Sequence, residues 1–189
     1  CRNNNHVIFL LDHAGIVSGD GSTHQGVFDI PMLMNVPNII ITQPKDAKEA
    51  NDLIYTSLLN KKPFVIRYPK MNIKYDYVKA ENLPIGSWEV IKEGRDAVLI
   101  TYGAFIEKAL NISDNLANKG IKLCVINARF IKPYDTKLFK SIVKANIPIY
   151  VYEESMEIGS LGSILAKDIQ SYEFTSVFRI FAIKDKFMT

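Results

Sequence analysis

Asp12-His13-Ala14-Gly15 and then Asp20-Gly21-Ser22-Thr23-His24-Gln25-Gly26 come directly after the apolar run Val7-Ile8-Phe9-Leu10-Leu11. The run reads as a buried strand. A strand that ends in a polar, glycine-rich loop delivers side chains to the carboxyl edge of a parallel sheet, where open α/β folds hold their ligands. Glycines there let backbone approach a substrate, and histidine is the residue type that exchanges protons near neutral pH. The loop is therefore a candidate site. The plainer alternative is that Asp20 and His24 only cap a turn.

Outward from the loop, short β-branched runs alternate with helix-period segments, the pattern of βα units around a parallel sheet. Strands are expected at residues 7–11, 39–42 and 64–68. Asp46 with Glu49 three residues on forms an N-terminal capping box, and Ala47, Ala50, Ile54 and Leu58 recur on one helical face that is expected to be core. Residues 71–86 are polar, rich in Tyr, Lys and Asn, and end at Pro84 and Gly86; they read as a linker. Beyond it, strands are expected at 88–91, 97–102, 122–126, 149–152 and 177–183. Phe105, Ala109, Ile112 and Leu116 mark a helix that stops at Gly120, and further helices are expected at 136–144 and 161–169. The expected fold class is α/β, as two small parallel or mixed-sheet α/β domains over 1–70 and 87–189.

At 189 residues, with 48% hydrophobic and 23% charged residues, the composition is that of an ordinary globular protein able to bury its own core. The net charge of +3 is small and its lysines are scattered, so no nucleic-acid partner is expected. No apolar run approaches the ~20 residues that span a bilayer, so no membrane segment is expected. Cys1 and Cys124 lie far apart in sequence, and buried reduced thiols are the expected state. The chain begins with Cys1 rather than Met, its first apolar run already looks like a strand in mid-domain, and it is expected to be a fragment whose targeting segment could have been lost with a missing front.

The loop resembles the DRAG and DGxTHxG motifs of the 1-deoxy-D-xylulose-5-phosphate synthase family, thiamine-diphosphate enzymes of the transketolase superfamily. The resemblance continues in order through Val27-Phe28-Asp29, Val36-Pro37-Asn38, Pro44-Lys45-Asp46, Arg67-Tyr68-Pro69-Lys70, the block from Ile126 to Asp135, and Glu153-Glu154. Thr23-His24-Gln25-Gly26 and Asn127-Ala128-Arg129-Phe130-Ile131-Lys132-Pro133 are its specific parts. It implies that 1–70 is the back of a pyrimidine-binding domain and 87–189 most of a transketolase C-terminal domain. It also implies a reaction, the joining of pyruvate to glyceraldehyde 3-phosphate with loss of carbon dioxide. Thiamine diphosphate and Mg2+ would serve the full-length enzyme, with their main contacts outside this chain, so the chain alone is expected to bind neither and to be inactive. A homodimer is implied too, in a plastid-type, apicoplast-like organelle if the source is eukaryotic and in the cytoplasm if bacterial.

By motif position, Asp20 and His24 resemble the family's aspartate and histidine that hydrogen-bond the acceptor's oxygens. His13 and Lys70 stand where the family usually has phosphate-binding arginines, so a planar fork is replaced by an imidazole and a flexible point charge. Strand alternation points Arg67 away from Tyr68, into a structural ion pair. Glu153-Glu154 reads as a strand end, Gly159-x-x-Gly162 as a place of close helix packing, and Arg129 as a residue at a domain or subunit contact. Two other functions stay open at this point: the beta subunit of a 2-oxoacid dehydrogenase, which needs no phosphate site, and a non-catalytic dimerisation or regulatory module.

Overall fold

The computed structural model describes residues 1–19, 21–71 and 77–188. Its first part runs β1 (Ile8–Leu11), α1 (Asp29–Met34), β2 (Ile40–Thr42), α2 (Ala47–Leu59) and β3 (Phe64–Arg67). The second part contributes β4 (Glu89–Lys92), β5 (Ala97–Thr101), α3 (Phe105–Ala117), β6 (Leu123–Asn127), β7 (Phe130–Lys132), α4 (Thr136–Lys144), β8 (Ile149–Met156), α5 (Leu161–Asp168) and β9 (Phe178–Ile183). Two mixed sheets result, in the orders β1-β3-β2-β7 and β4-β6-β5-β8-β9, as the α/β reading requires.

In the first sheet β1, β3 and β2 are parallel, so the loops at their carboxyl ends emerge on one edge. β7, from the second part, joins the open side of β2 as an antiparallel edge. In the second sheet β6, β5, β8 and β9 are parallel and β4 is antiparallel. β8 reaches four residues past the expected end at 152 and leads its carboxyl end toward the loop after β1. The two sheets share a core, in which Ile30, Ile41 and Val65 pack in one cluster with Ile100, Ile126 and Ile131.

Two short elements, α1 and β7, add to the expected set; both are too brief to show a period. Residues 72–76 of the expected linker lie outside the described residues. Its later part docks on α2: the Glu81 N–H donates to Asp52 at 2.9 Å, the Leu83 N–H to the Thr56 hydroxyl at 2.8 Å, and Leu83 is buried.

That docking corrects the expected core face of α2. Ile54 and Leu58 are 41% and 59% exposed, whereas Glu49, Asp52, Leu53, Thr56 and Ser57 are buried. The polar face wins because partners meet it. Asp52 and Thr56 hold the incoming 81–83 segment, and Glu49 accepts from the Asn127 amide at 2.9 Å. Asp46 does cap the helix, accepting from the Glu49 N–H at 2.8 Å. The box is not reciprocal, since the Glu49 carboxylate takes the Lys45 N–H and Asn127 instead.

Candidate acceptor-loop site

The loop after β1 is closed at its neck by backbone bonds. The Ala14 N–H donates to the Tyr68 carbonyl at 3.0 Å, fixing the loop to the end of β3. The Gly26 N–H donates to the His13 carbonyl at 3.0 Å, and the Gly15 N–H to the Gly26 carbonyl at 3.2 Å. A Cβ at Gly26 would overlap the His13 carbonyl, so this crossing admits only glycine. Gln25 braces the interior: its Oε1 accepts from the Val17 N–H at 2.7 Å and its Nε2 donates to the Val17 and Gly21 carbonyls, each at 2.8 Å. Motif position alone assigns Gln25 no such task.

His13 occupies the left-handed region at φ +56°, and its Nδ1 lies 3.0 Å from the Asp12 carboxylate. Its ring centroid is 6.2 Å from that of His24, whose Nδ1 is hydrogen-bonded to the Thr23 hydroxyl at 2.9 Å. Lys70, on the loop after β3, lines with Asp12, His13, Ser18 and Tyr68 an open cleft of about 830 Å³. The structure thus brings His13 and Lys70 to one cleft and sets His24 beside His13. Asp20 lies outside the described residues. Asp12 belongs with the cluster as well; the signal in the sequence is its place directly before His13.

Beneath the neck, Arg67 is fully buried and spends its guanidinium on structure. Its Nε pairs with Asp29 at 3.2 Å, one terminal nitrogen donates to the Gln43 side-chain carbonyl, and the other to the Gly26 carbonyl. Arg129 donates from Nε and a terminal nitrogen to the Ser87 carbonyl and hydroxyl, each at 3.0 Å, and approaches Glu49 at 3.5 Å. The two glycines after β8 serve packing, Gly159 against Pro31 and Gly162 against Ile180.

The adjacent glutamates at the end of β8 point opposite ways, as pleating requires. Glu153 is buried and receives the Gly162 N–H at 2.8 Å, the Leu161 N–H at 3.2 Å and the Tyr102 hydroxyl at 2.9 Å, satisfying the first turn of α5. Burial raises its carboxyl above the ordinary value, and bonds from Ser160, Gly162, Tyr102 and Leu161 offset part of that. Burial likewise pushes the Tyr102 hydroxyl well up, with Glu153 adding to it. Glu154 instead reaches the loop, where its Oε2 accepts from the Ile16 N–H at 3.2 Å. Among the described residues no group of three or more His, Cys, Asp or Glu is placed to hold a metal ion.

Two family profiles cover this architecture: "Transketolase, pyrimidine binding domain" matches residues 1–75 and "Transketolase, C-terminal domain" matches residues 86–185. The chain belongs to the transketolase family. Within it, the chain is similar to 1-deoxy-D-xylulose-5-phosphate synthases of bacteria: 40% identical over 193 residues to that of Geobacillus sp. strain WCH70, covering all of this chain and 30% of that protein. The Listeria welshimeri synthase is 43% identical over 180 residues, which is 94% of this chain and 28% of that protein. The chain therefore spans less than a third of the length of these transketolase-type relatives. A solved structure titled as a split gene transketolase, inactive beta4 tetramer, superimposes with a TM-score of 0.82 over 97% of this chain and 59% of its own. At 24% identity that likeness shows the transketolase fold alone.

Proposed function

We propose that the protein carrying this chain condenses pyruvate with glyceraldehyde 3-phosphate, releasing carbon dioxide and giving 1-deoxy-D-xylulose 5-phosphate. The support is the placing of His13 and Lys70 on one open cleft, with the His24 ring beside that of His13, together with the similarity to the bacterial synthases. In this reading Lys70 and His13 hold the acceptor's phosphate, while His24 and Asp20 bond the aldehyde and hydroxyl oxygens. Such bonds matter most as negative charge develops on the aldehyde oxygen during carbon-carbon bond formation. Thiamine diphosphate with Mg2+ would supply the activated two-carbon donor. Their main contacts would come from the part of the protein outside this chain.

A homodimer is part of the same reading, supported by the exposed apolar side chains Ile54, Tyr55, Leu58 and Leu59 on α2. No helix of the described residues is long and apolar enough to cross a membrane. The relatives named above are bacterial, which gives the plastid-type expectation no support.

Steady-state kinetics of the full-length protein, with glyceraldehyde 3-phosphate and with unphosphorylated glyceraldehyde, test the proposal. Wild type is expected to prefer the phosphorylated acceptor. His24→Ala should lower turnover with it by about 10²-fold or more, as for a positioned proton-transfer or hydrogen-bonding group. Lys70→Ala should raise KM for glyceraldehyde 3-phosphate much more than it lowers kcat and leave glyceraldehyde untouched, because a remote handle contributes uniform binding. Turnover of His24→Ala within about threefold of wild type would assign the histidine to loop support alone.

A further inference from the structure

β8 belongs to the second sheet, yet its last residues grip both sides of the loop neck that hangs from β1. Its strand extends through Met156, and the two contacts come from neighbouring residues of that extension. On one side the Glu154 carboxylate accepts from the Ile16 N–H at 3.2 Å. On the other the Met156 N–H donates to the Val27 carbonyl at 2.9 Å, with the Ser155 hydroxyl reaching the same oxygen at 3.3 Å. Gly15, at φ +85°, presses its Cα against the Glu154 carboxylate so closely that a Cβ there would overlap it. The Tyr152 hydroxyl, one pleat back on the same face, lies 3.5 Å from the other Glu154 oxygen and steadies it.

His13 precedes Ala14 and Gly15, and its carbonyl is one of the three that close the neck. The placing of its ring, and of the His24 ring 6.2 Å away, therefore depends on where residues 14–16 and 26–27 are held. From below they are held by Arg67 of β3 through the Gly26 carbonyl. From the facing side they are held by the end of β8, whose Glu154 side chain meets Gly15 and Ile16 while Ser155 and Met156 take Val27.

We infer that Glu154 is a positioning residue, through which the C-terminal sheet sets the geometry of the acceptor-binding loop. It acts as a backbone acceptor at Ile16, so an uncharged acceptor of the same length serves nearly as well, and truncation does not. The effect on acceptor kinetics rests on the function proposed above; the effect on the loop does not.

The test pairs Glu154→Ala with Glu154→Gln and reads hydrogen exchange in the 189-residue chain alongside acceptor kinetics in the full-length protein. In Glu154→Ala the Ile16 amide should exchange about tenfold faster or more, as for loss of a hydrogen bond to a charged acceptor, while amides of β5 and β6 keep their protection. Glu154→Gln should retain most of the protection. In the full-length protein Glu154→Ala should raise KM for glyceraldehyde 3-phosphate at least about fivefold and leave pyruvate consumption without acceptor unchanged, with rescue by glutamine. Unchanged Ile16 exchange in Glu154→Ala, or loss of protection in β5 and β6 to the same extent, overturns the inference. A wild-type protein inactive with this acceptor would instead overturn the function, and exchange at Ile16 would still decide the role of Glu154.

Discussion

At position 13 the backbone holds a left-handed turn while its carbonyl closes the loop neck and its ring faces Asp12 and the open cleft. A single residue therefore carries both the fold of the loop and part of its surface chemistry. The identity of such residues is legible in the sequence, since His13, His24 and Lys70 stand at motif positions. What they touch is not: Arg67 and Glu154 declare their partners only once the sheets are assembled, because those partners lie 38 and 138 residues away. Glu153 offers a test at this scale. Its folded value is raised, so the native state binds its proton more tightly than the unfolded chain does. The sign comes from linkage: its contribution is fully present below the ordinary carboxylate pKa of about 4.3 and is lost as pH rises through the folded value. Wild-type stability measured against Glu153→Gln should therefore fall as pH rises from about 4 through the folded value, with a slope no steeper than about 1.4 kcal/mol per pH unit. Denaturant melts of both proteins across that range check it; a difference that is flat or rises with pH contradicts the raised value.

At the scale of elements, the long ones are legible: the interior of α3 and the whole of α4 fall where helical spacing puts them, and the parallel strands fall on the apolar, β-branched runs, with β8 running four residues further than expected. Helix α2 shows why periodicity can mislead. Ala47, Ala50, Ile54 and Leu58 do share a face, but the burial goes to the opposite side, where Leu53 enters the core and Asp52, Thr56 and Glu49 find hydrogen-bond donors from the 81–83 segment and from Asn127. A buried polar face is stable only when each group is satisfied, and that depends on segments far away in sequence. The prediction is that Ile54→Lys combined with Leu58→Lys leaves thermal stability of the monomer nearly unchanged, within about 0.5 kcal/mol per site as for surface positions. Were these residues core, the same changes would cost several kcal/mol. Sedimentation of the double variant completes the measurement: if α2 forms the dimer contact, the variant should self-associate more weakly than wild type while melting at the same temperature.

At the scale of the whole molecule, the sequence reads as two domains with a linker at 71–86; one family profile ends at residue 75 and the other begins at residue 86. The structure joins those parts in three ways. β7 completes the first sheet although it comes after β6 of the second, the core cluster runs from Ile41 through Ile131 to Ile126, and a charged clasp links Lys45 and Glu49 to Glu89, Asn127 and Arg129. In the clasp, burial lowers the Lys45 pKa, but Glu49, Glu89 and Asp46 outweigh it and the net shift is upward, so the ion pairs hold at neutral pH. Parts so connected should not melt independently. The single tryptophan reports on the junction itself, since Trp88 is buried and its indole N–H donates to the Phe130 carbonyl at 2.8 Å, at the start of β7. Unfolding followed by tryptophan fluorescence and by far-UV circular dichroism should give coincident single transitions, as a two-state unit does. Phe130→Ala, which empties a fully buried site against Phe64 of the first sheet, should cost about 3 to 5 kcal/mol and lower both transitions together by roughly 10 °C. Two separated transitions, with only the fluorescence one moved by the substitution, would mean that the sheets fold apart and that β7 is an adornment on a domain able to stand without it.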